Sequence, residues 1–280
     1  MAESAFQRKY RTEFIAGFEK KQSMLRRAVT TEVEINGNEA VFLVADSGGA
    51  TAVTRGINGD IPTRPDNLNQ YTATLQEWHD VPERTNFNIY ASQGNATRIM
   101  QMTSMGVINR KIDEDIRDGL SAGTNTFSMV QTNSGTFLAG ILEMQATLGE
   151  NDALDEEPFA IISPAYRSNL MTLNQFSSRD YINNPAFENY SLSKAFNWNG
   201  INWLVDSEVD GVGTASSTCY LLNRNAIGHA CDMERIDSVL GYDEKNHKSW
   251  ARCTTYMGSK LLQNSGIIKI THDDTTFLTT

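Results

Sequence analysis

Apolar side chains recur at spacings close to three and four through residues 4–28, at Phe6, Tyr10, Phe14, Ile15, Phe18, Met24 and Leu25, which predicts a helix at the start of the chain. Little else lies nearby for it to pack on, so its apolar face is expected to dock on another element or another subunit. Asn36-Gly37 is a hairpin-type turn signal. The run Ala40-Val41-Phe42-Leu43-Val44 then reads as a strand before giving way to the small and polar Asp46-Ser47-Gly48-Gly49-Ala50-Thr51. Asn58-Gly59 with Pro62 and Pro65 marks a tip, and residues 71–89 return as a second strand-like stretch, broken near its middle by Pro82. The whole is a long polar hairpin with almost no core of its own. A connection so long and so poor in large apolar residues is usually functional or disordered.

Residues 96–120 contain no proline, and Met105, Ile108, Ile112, Ile116 and Leu120 fall at i+3 and i+4 steps after the cap signal Gly94-Asn95. That stripe predicts one helix of about 37 Å at 1.5 Å per residue. Arg110, Asp113, Glu114, Arg117 and Asp118 are assigned to its opposite face, towards solvent or a neighbouring subunit. Thr132-Asn133-Ser134 opens a further helix to about Leu148, and Phe159-Ala-Ile-Ile-Ser-Pro164 reads as a strand. Its Ser163-Pro164 end is an N-cap and first-turn pair for a helix to about Leu173. From Phe196 the pattern is mainly β, with an Asn199-Gly200 turn and Ile201, Trp203 and Val205 alternating. A helix-rich middle between β-rich ends, with no βαβ repetition, predicts an α+β fold.

Composition narrows the class. The 280 residues are 40% hydrophobic and 9% aromatic, enough for a real core. No apolar run approaches the eighteen or so residues needed to span a bilayer, and the first residues carry no apolar leader segment, so the chain is expected to stay in the cytosol where it is made. Cys219, Cys231 and Cys253 are odd in number and widely spaced, which predicts buried free thiols rather than disulfides or a zinc site. The net charge is −10, yet residues 1–30 carry seven basic groups against Glu3, Glu13 and Glu19, a local +4 that leaves −14 elsewhere. An acidic body argues against strong sequence-independent DNA binding. The acidic stretch Glu150, Asp152, Asp155, Glu156, Glu157 reads as an exposed loop.

Candidate chemistry is sparse. Asp46-Ser47-Gly48-Gly49 matches the core of the trypsin-like serine protease motif, but Ala45 and Ala50 replace its flanking Gly and Pro. All four histidines, His79, His229, His247 and His272, follow Ser47, the reverse of the order in those enzymes, although a triad is defined by geometry rather than by order. None of them pairs at i+4 spacing as metal ligands do; Asp243-Glu244 with His247 is at most a weak cation patch. Gly211-Val-Gly213 lacks the continuation of a dinucleotide-binding turn, and no phosphate-binding loop occurs. Asn95 and Asn189 match glycosylation acceptors, to no effect in a chain that is not secreted. The aromatics Trp198, Trp203, Tyr220, Trp250 and Tyr256 read as core or intersubunit packing. No residue set is assigned as catalytic, cofactor-binding or metal-binding, and the chain is not expected to be an enzyme.

The order of these elements resembles the major capsid protein of tailed bacteriophages, the Hong Kong-97-type capsid fold, across roughly residues 5–272. Residues 40–90 resemble its extended β-hairpin, the E-loop, and residues 96–120 its long spine helix. Helical Thr136-Phe-Leu-Ala-Gly-Ile-Leu-Glu-Met144, Phe196-Asn-Trp-Asn-Gly-Ile-Asn-Trp-Leu-Val205, Cys219-Tyr-Leu-Leu-Asn-Arg-Asn-Ala-Ile-Gly228, Ser249-Trp-Ala-Arg-Cys253 and Gly266-Ile-Ile-Lys-Ile270 follow in the family's order. No short catalytic motif anchors the resemblance; it rests on order and spacing.

The resemblance implies an N-terminal arm over 1–35, an E-loop over 36–90, a peripheral domain over 91–130 and 245–280, and an axial domain over 131–244. It further implies self-assembly into pentamers and hexamers that close an icosahedral shell around double-stranded DNA, in the virion, after assembly in the host bacterial cytoplasm. Implied partners are further copies of the chain, a separate scaffolding protein, a portal vertex, a possible decoration protein, and packaged DNA through weak contacts with the basic arm. An encapsulin-like compartment shares the fold and length and is the nearest alternative; a hydrolase using Ser47 is the distant one. Some members of the fold weld neighbours by an isopeptide bond between an E-loop lysine and an asparagine. No lysine lies between Lys21 and Lys111, so Arg55, Arg64 and Arg84 are the only long cations on this hairpin and the weld is not expected.

Overall fold

The computed structural model describes residues 22–278 apart from 33–34, 36, 56, 58, 60, 65–66, 93–95, 156, 178–194 and 233–236. Its strands are β1 (Thr30–Glu32), β2 (Glu39–Asp46), β3 (Asn67–Thr74), β4 (Gln76–Asp80), β5 (Glu83–Thr85), β6 (Thr126–Ser128), β7 (Pro158–Ile162), β8 (Ala195–Trp198), β9 (Ile201–Val205), β10 (Ser217–Asn223), β11 (Ile227–Cys231), β12 (Asp237–Asp243), β13 (Lys248–Leu261) and β14 (Ile267–His272). Its α-helices are α1 (Asn86–Ser92), α2 (Ala96–Ser121), α3 (Ser134–Glu150), α4 (Pro164–Met171) and α5 (Asn174–Ser177). The fold is α+β, as the pattern predicts.

One sheet is organised by β13. Cys253 pairs with Ser238 on one edge and Asp80 on the other, and Met257 with Cys231 and Gln76, so β12 and β11 line one edge while β5 and β4 line the opposite one. Strand β1 adds to β11 in parallel. The second sheet runs β6-β14-β10-β7-β9-β8. Its central strands carry near-continuous apolar runs, such as Phe159-Ala-Ile-Ile, because both faces are buried. The Asn199-Gly200 turn joins β8 to β9 with both residues at positive φ.

Local signals explain where the helices begin. The Asn133 side chain accepts the Thr136 N–H at 2.9 Å while Thr136 Oγ1 accepts the Asn133 N–H at 3.1 Å, a capping box that starts α3. Ser163 Oγ accepts the Tyr166 N–H at 3.1 Å with Pro164 in the first turn of α4. The core runs continuously from α2 through both sheets. In it Phe196 stacks on Trp203 with centroids 6.1 Å apart, Trp198 lies tilted against Trp203, and Phe176 meets Phe196 and Trp198 edge-on. The aromatics at 198, 203 and 220 therefore pack, as expected, and all three cysteines are buried and free.

Four expectations are corrected. Residues 22–28 do not end a long α-helix: Leu25–Ala28 is a 3-10 turn leading into β1, because Leu25, Ala28 and Val29 turn inward and enter the core. Residues 4–21 of that expected helix lie outside the described residues. Asn36-Gly37 does not join two mutually paired strands, since β1 pairs with β11 and β2 with β3. The second hairpin stretch ends at Thr85, whose hydroxyl accepts the Asn88 N–H at 3.4 Å and starts α1 where a strand was expected. On α2 the buried stripe begins at Met100 and Ser104, leaving Met105 exposed, and it is wide enough to bury Asp113 and Arg117 within the subunit, which the spacing assigned to solvent or a neighbouring subunit.

Two outcomes follow from that burial. Leu25→Ala, a fully buried side chain packed against α2, should cost about 3 kcal/mol of stability in chemical denaturation of the subunit. Arg117→Leu, which removes the cation 2.6 Å from the buried Asp206 carboxylate, should cost at least about 3 kcal/mol in the same measurement.

Candidate assembly surfaces

Eight residue pairs, from Glu39↔Thr74 to Asp46↔Asn67, zip β2 to β3. Side chains alternate across such a ladder, which gives the hairpin two unlike faces. Ala40 and Ala73 are buried on one of them, with Phe42 and Leu75 packed beside Ala230 of β11. The root is seated at two glycines. A Cβ on Gly228 would lie 2.8 Å from the Phe42 ring and force the ring to move, and one on Gly258 would lie 2.3 Å from the Thr74 carbonyl oxygen and displace the hairpin backbone.

The other face is uncovered among the described residues. Val41 and Leu43 are 55% and 60% exposed and Leu68 is 49% exposed, and the connection beyond them presents Val53, Ile57 and Ile61 to solvent. Apolar side chains aligned on a projecting ribbon mark a contact surface for another chain. At the end of the paired region Asp46 Oδ1 accepts the Gly48 N–H at 2.7 Å and the Asn67 amide at 2.5 Å, and Arg64 Nη1 donates to the Ser47 carbonyl at 3.0 Å. Gly48 and Gly49 sit at φ +58 and +74. Asp46-Ser47-Gly48-Gly49 is thus a side-chain-capped turn.

Residues 23–25 and the second sheet are tied to α2 by buried charge. Asp113 accepts hydrogen bonds from Ser23 Oγ at 2.5 Å, Leu25 N at 3.2 Å and Met24 N at 3.4 Å. Arg117 Nη1 lies 2.6 Å from Asp206 Oδ2, in the turn after β9, with Glu208 3.8 Å from Nη2. Between them Asp115 accepts Ser259 Oγ at 2.5 Å, and His229 Nδ1 lies 3.0 Å from that hydroxyl and 3.4 Å from the carboxylate. Burial opposes a charge on His229, but the Asp115 and Cys231 side chains beside it outweigh burial and raise its pKa above the usual histidine value. The close approach is permitted by Gly119, where a Cβ would sit 3.0 Å from Ser259 Cβ. Spacing alone hid this group; the available signal was that Asp113 and Arg117 directly follow Ile112 and Ile116 of the apolar stripe.

The residues weighed for chemistry have structural roles and are dispersed. His79 bonds Thr254 Oγ1 at 2.9 Å and faces Glu77 at 3.2 Å; His229 and His272 are buried in separate hydrogen-bond groups. His247 bonds the Tyr242 hydroxyl. Asp243 accepts from the Asn246 amide at 2.6 Å and the Lys245 N–H at 2.9 Å, bonds that hold its carboxyl below the usual range and shape the turn between β12 and β13. Gly211 and Gly213 form a turn in which the Gly213 N–H donates to Asp274 at 3.0 Å. Asn95 and Asn189 lie outside the described residues. Among those described, no helix is long and apolar enough to cross a membrane.

Known proteins share this architecture. A chain of Mycobacterium phage Che8 superposes with a TM-score of 0.77 over 96% of this chain and 98% of its own, at 10% identity. The capsid of cyanophage P-SCSP1u gives 0.74 over 96% and 93%, also at 10% identity. The capsid of a native GTA particle gives 0.69 over 95% of each chain at 10% identity. A comparison with curated protein sequences finds no match. These likenesses fix the fold, and together with the family match they favour a phage shell over an encapsulin-type compartment or a Ser47 hydrolase. The model of the phage capsid protein family matches residues 2–274, nearly the whole sequence, and the chain belongs to that family.

Proposed function

We propose that this capsid protein assembles through pentamers and hexamers into an icosahedral shell around double-stranded DNA. The observation that carries the reading is the two-faced hairpin: one face is seated on glycines of its own subunit and the other offers Val41, Leu43 and Leu68 to a neighbour. Burying such a side chain contributes roughly 1.5–3 kcal/mol, and many contacts of this size, repeated around a closed shell, add up by multivalency. The arm is assigned to 1–35, the E-loop to 36–90, the peripheral domain to 91–130 with 245–280, and the axial domain to 131–244. Assembly takes place in the host cytoplasm with a separate scaffolding protein and a portal vertex. A decoration protein is a further partner, and the basic arm meets DNA weakly. The role is mechanical and involves no catalysis.

Cohesion between subunits is noncovalent. An isopeptide weld needs a desolvated lysine amine on the hairpin, and Arg55, Arg64 and Arg84 stand there instead, with guanidinium groups that stay protonated. Mature particles boiled in detergent should release a single band near 31.1 kDa. A reductant-resistant ladder of oligomers would contradict noncovalent cohesion.

The hairpin and the arm can be tested apart. Leu43→Asp should leave the subunit's denaturation midpoint within about 0.5 kcal/mol of wild type, as expected of an exposed site, while abolishing regular shells in electron micrographs. Normal shells from this variant would remove the hairpin face from the interface. Deleting residues 1–20 should likewise give a folded subunit that fails to close. A deletion taken to residue 30 should also unfold it, because Leu25, Ala28 and Val29 belong to the core.

A further inference from the structure

His272, the last residue of β14, is fully buried, and its ring lies 4.7 Å from that of Tyr166 and 6.1 Å from that of Phe137. Two amides converge on its Nε2, Gln131 Nε2 at 2.7 Å and Asn169 Nδ2 at 3.2 Å. Neither amide is free to turn round. Gln131 is held by the Asp273 backbone, whose N–H donates to Oε1 at 2.9 Å and whose carbonyl accepts from Nε2 at 3.1 Å. Asn169 Oδ1 accepts the Leu278 N–H at 3.2 Å, which leaves its Nδ2 to face the ring.

With two donors aimed at it, Nε2 is an acceptor, and the ring is the neutral tautomer with its hydrogen on Nδ1. That hydrogen is donated to Asp274 Oδ1 at 2.7 Å. The same Oδ1 accepts Ser163 Oγ at 2.7 Å, and Asp274 Oδ2 accepts the Gly213 N–H. The group thereby joins β14, the start of α4, the segment before α3 and the final described residues. Leu278 itself reaches the core.

Among the described residues, the titratable groups facing this ring are Asp273 and Asp274 on its own segment, Tyr166 from α4, and Cys219 from β10 beside Asp274. Burial keeps the last two neutral, raising Tyr166 well above its ordinary value and Cys219 to about 12. For His272, burial disfavours the imidazolium more than Asp274 and Asp273 favour it, so its pKa lies below the ordinary 6.5.

We propose that this group is an acid-released latch on the C-terminal segment, residues 273–278. A proton placed on Nε2 sets three donors against one another, and Gln131 and Asn169 release the ring together with Asp273 and Leu278, which they also hold. The sign follows from linkage. The released state takes up the proton at 6.5 and the latched state only at a lower pH, so latching is at full strength above 6.5 and weakens as pH falls from there towards the depressed value.

The test is hydrogen exchange on the full-length chain at the amides of Asp273 and Leu278, corrected for intrinsic exchange. Protection should fall about tenfold per pH unit below 6.5, the slope of one linked proton, and level off once the latched state is itself protonated. Amides of β7 should hold their protection over the same interval. In His272→Gln, whose Oε1 can accept from both amides and whose Nε2 can donate to Asp274, protection should be flat across this window. If that variant does not fold, the imidazole 15N shifts of the wild-type chain decide instead: a neutral Nδ1–H tautomer titrating below 6.5 supports the latch. An Nε2–H tautomer, titration at or above 6.5, or equal acid loss of protection in the Gln variant overturns it.

Discussion

A long helix can organise a subunit of this kind only if the charges drawn in with its apolar stripe are met where they lie. On α2 the side chains of Asp113, Asp115 and Arg117 each reach a different part of the chain: the segment before β1, strands β11 and β13, and the turn after β9. A buried charge deprived of its partner costs several kcal/mol, so the Asp113 and Arg117 contacts are close to obligatory once the helix is in place. Within five residues the helix thereby fixes where the segment before β1 lies, how the first sheet lies against it and how the second sheet is attached. Hydrophobic burial supplies most of the stability, but it has no direction. These bonds provide the direction.

The hairpin obeys the opposite rule. Its polar connection is held by local bonds, from Asp46 to Gly48 and Asn67 and from Arg64 to Ser47, and its outward face is exposed among the described residues. The steric demand is all at the root, where Phe42 and Thr74 press on Gly228 and Gly258. One end of the ribbon is thus fixed by close packing, while the apolar stripe along it is left for another surface to cover. That division suits a protein whose final environment is made of copies of itself.

Element type and order were readable from sequence wherever periodicity and capping agreed. The Asn133 and Ser163 caps, the Asn199-Gly200 turn and the length of α2 are local, and local chemistry decides them. What escaped was decided at a distance. Near Asn86 the sequence offers α1 little beyond the Thr85 capping hydroxyl; the Asn86 N–H bonds the His247 carbonyl, far along the chain. Leu25 looked like the end of an amphipathic helix, and only its contact with α2 turns it into core. Asp113 and Arg117 were placed in solvent because their type outweighed their position in a stripe wider than five residues suggest. The candidate surfaces divided in the same way: the hairpin showed itself by its poverty in core residues, whereas its two seating glycines were invisible without the fold.

The junction between hairpin and body carries a mechanical consequence. Strand β3 runs into β4 with only Leu75 between them, and β4 is paired to β13 from Gln76↔Met257 to Asp80↔Cys253. Tension on the hairpin therefore passes directly into a strand embedded at the edge of the most heavily paired strand of the sheet. The rungs of an antiparallel ladder stand perpendicular to its strands, so a pull along β4 strains them in common, whereas a pull across it would open them one after another. A shell under internal pressure would load its subunits through a seam that resists in shear along its whole length.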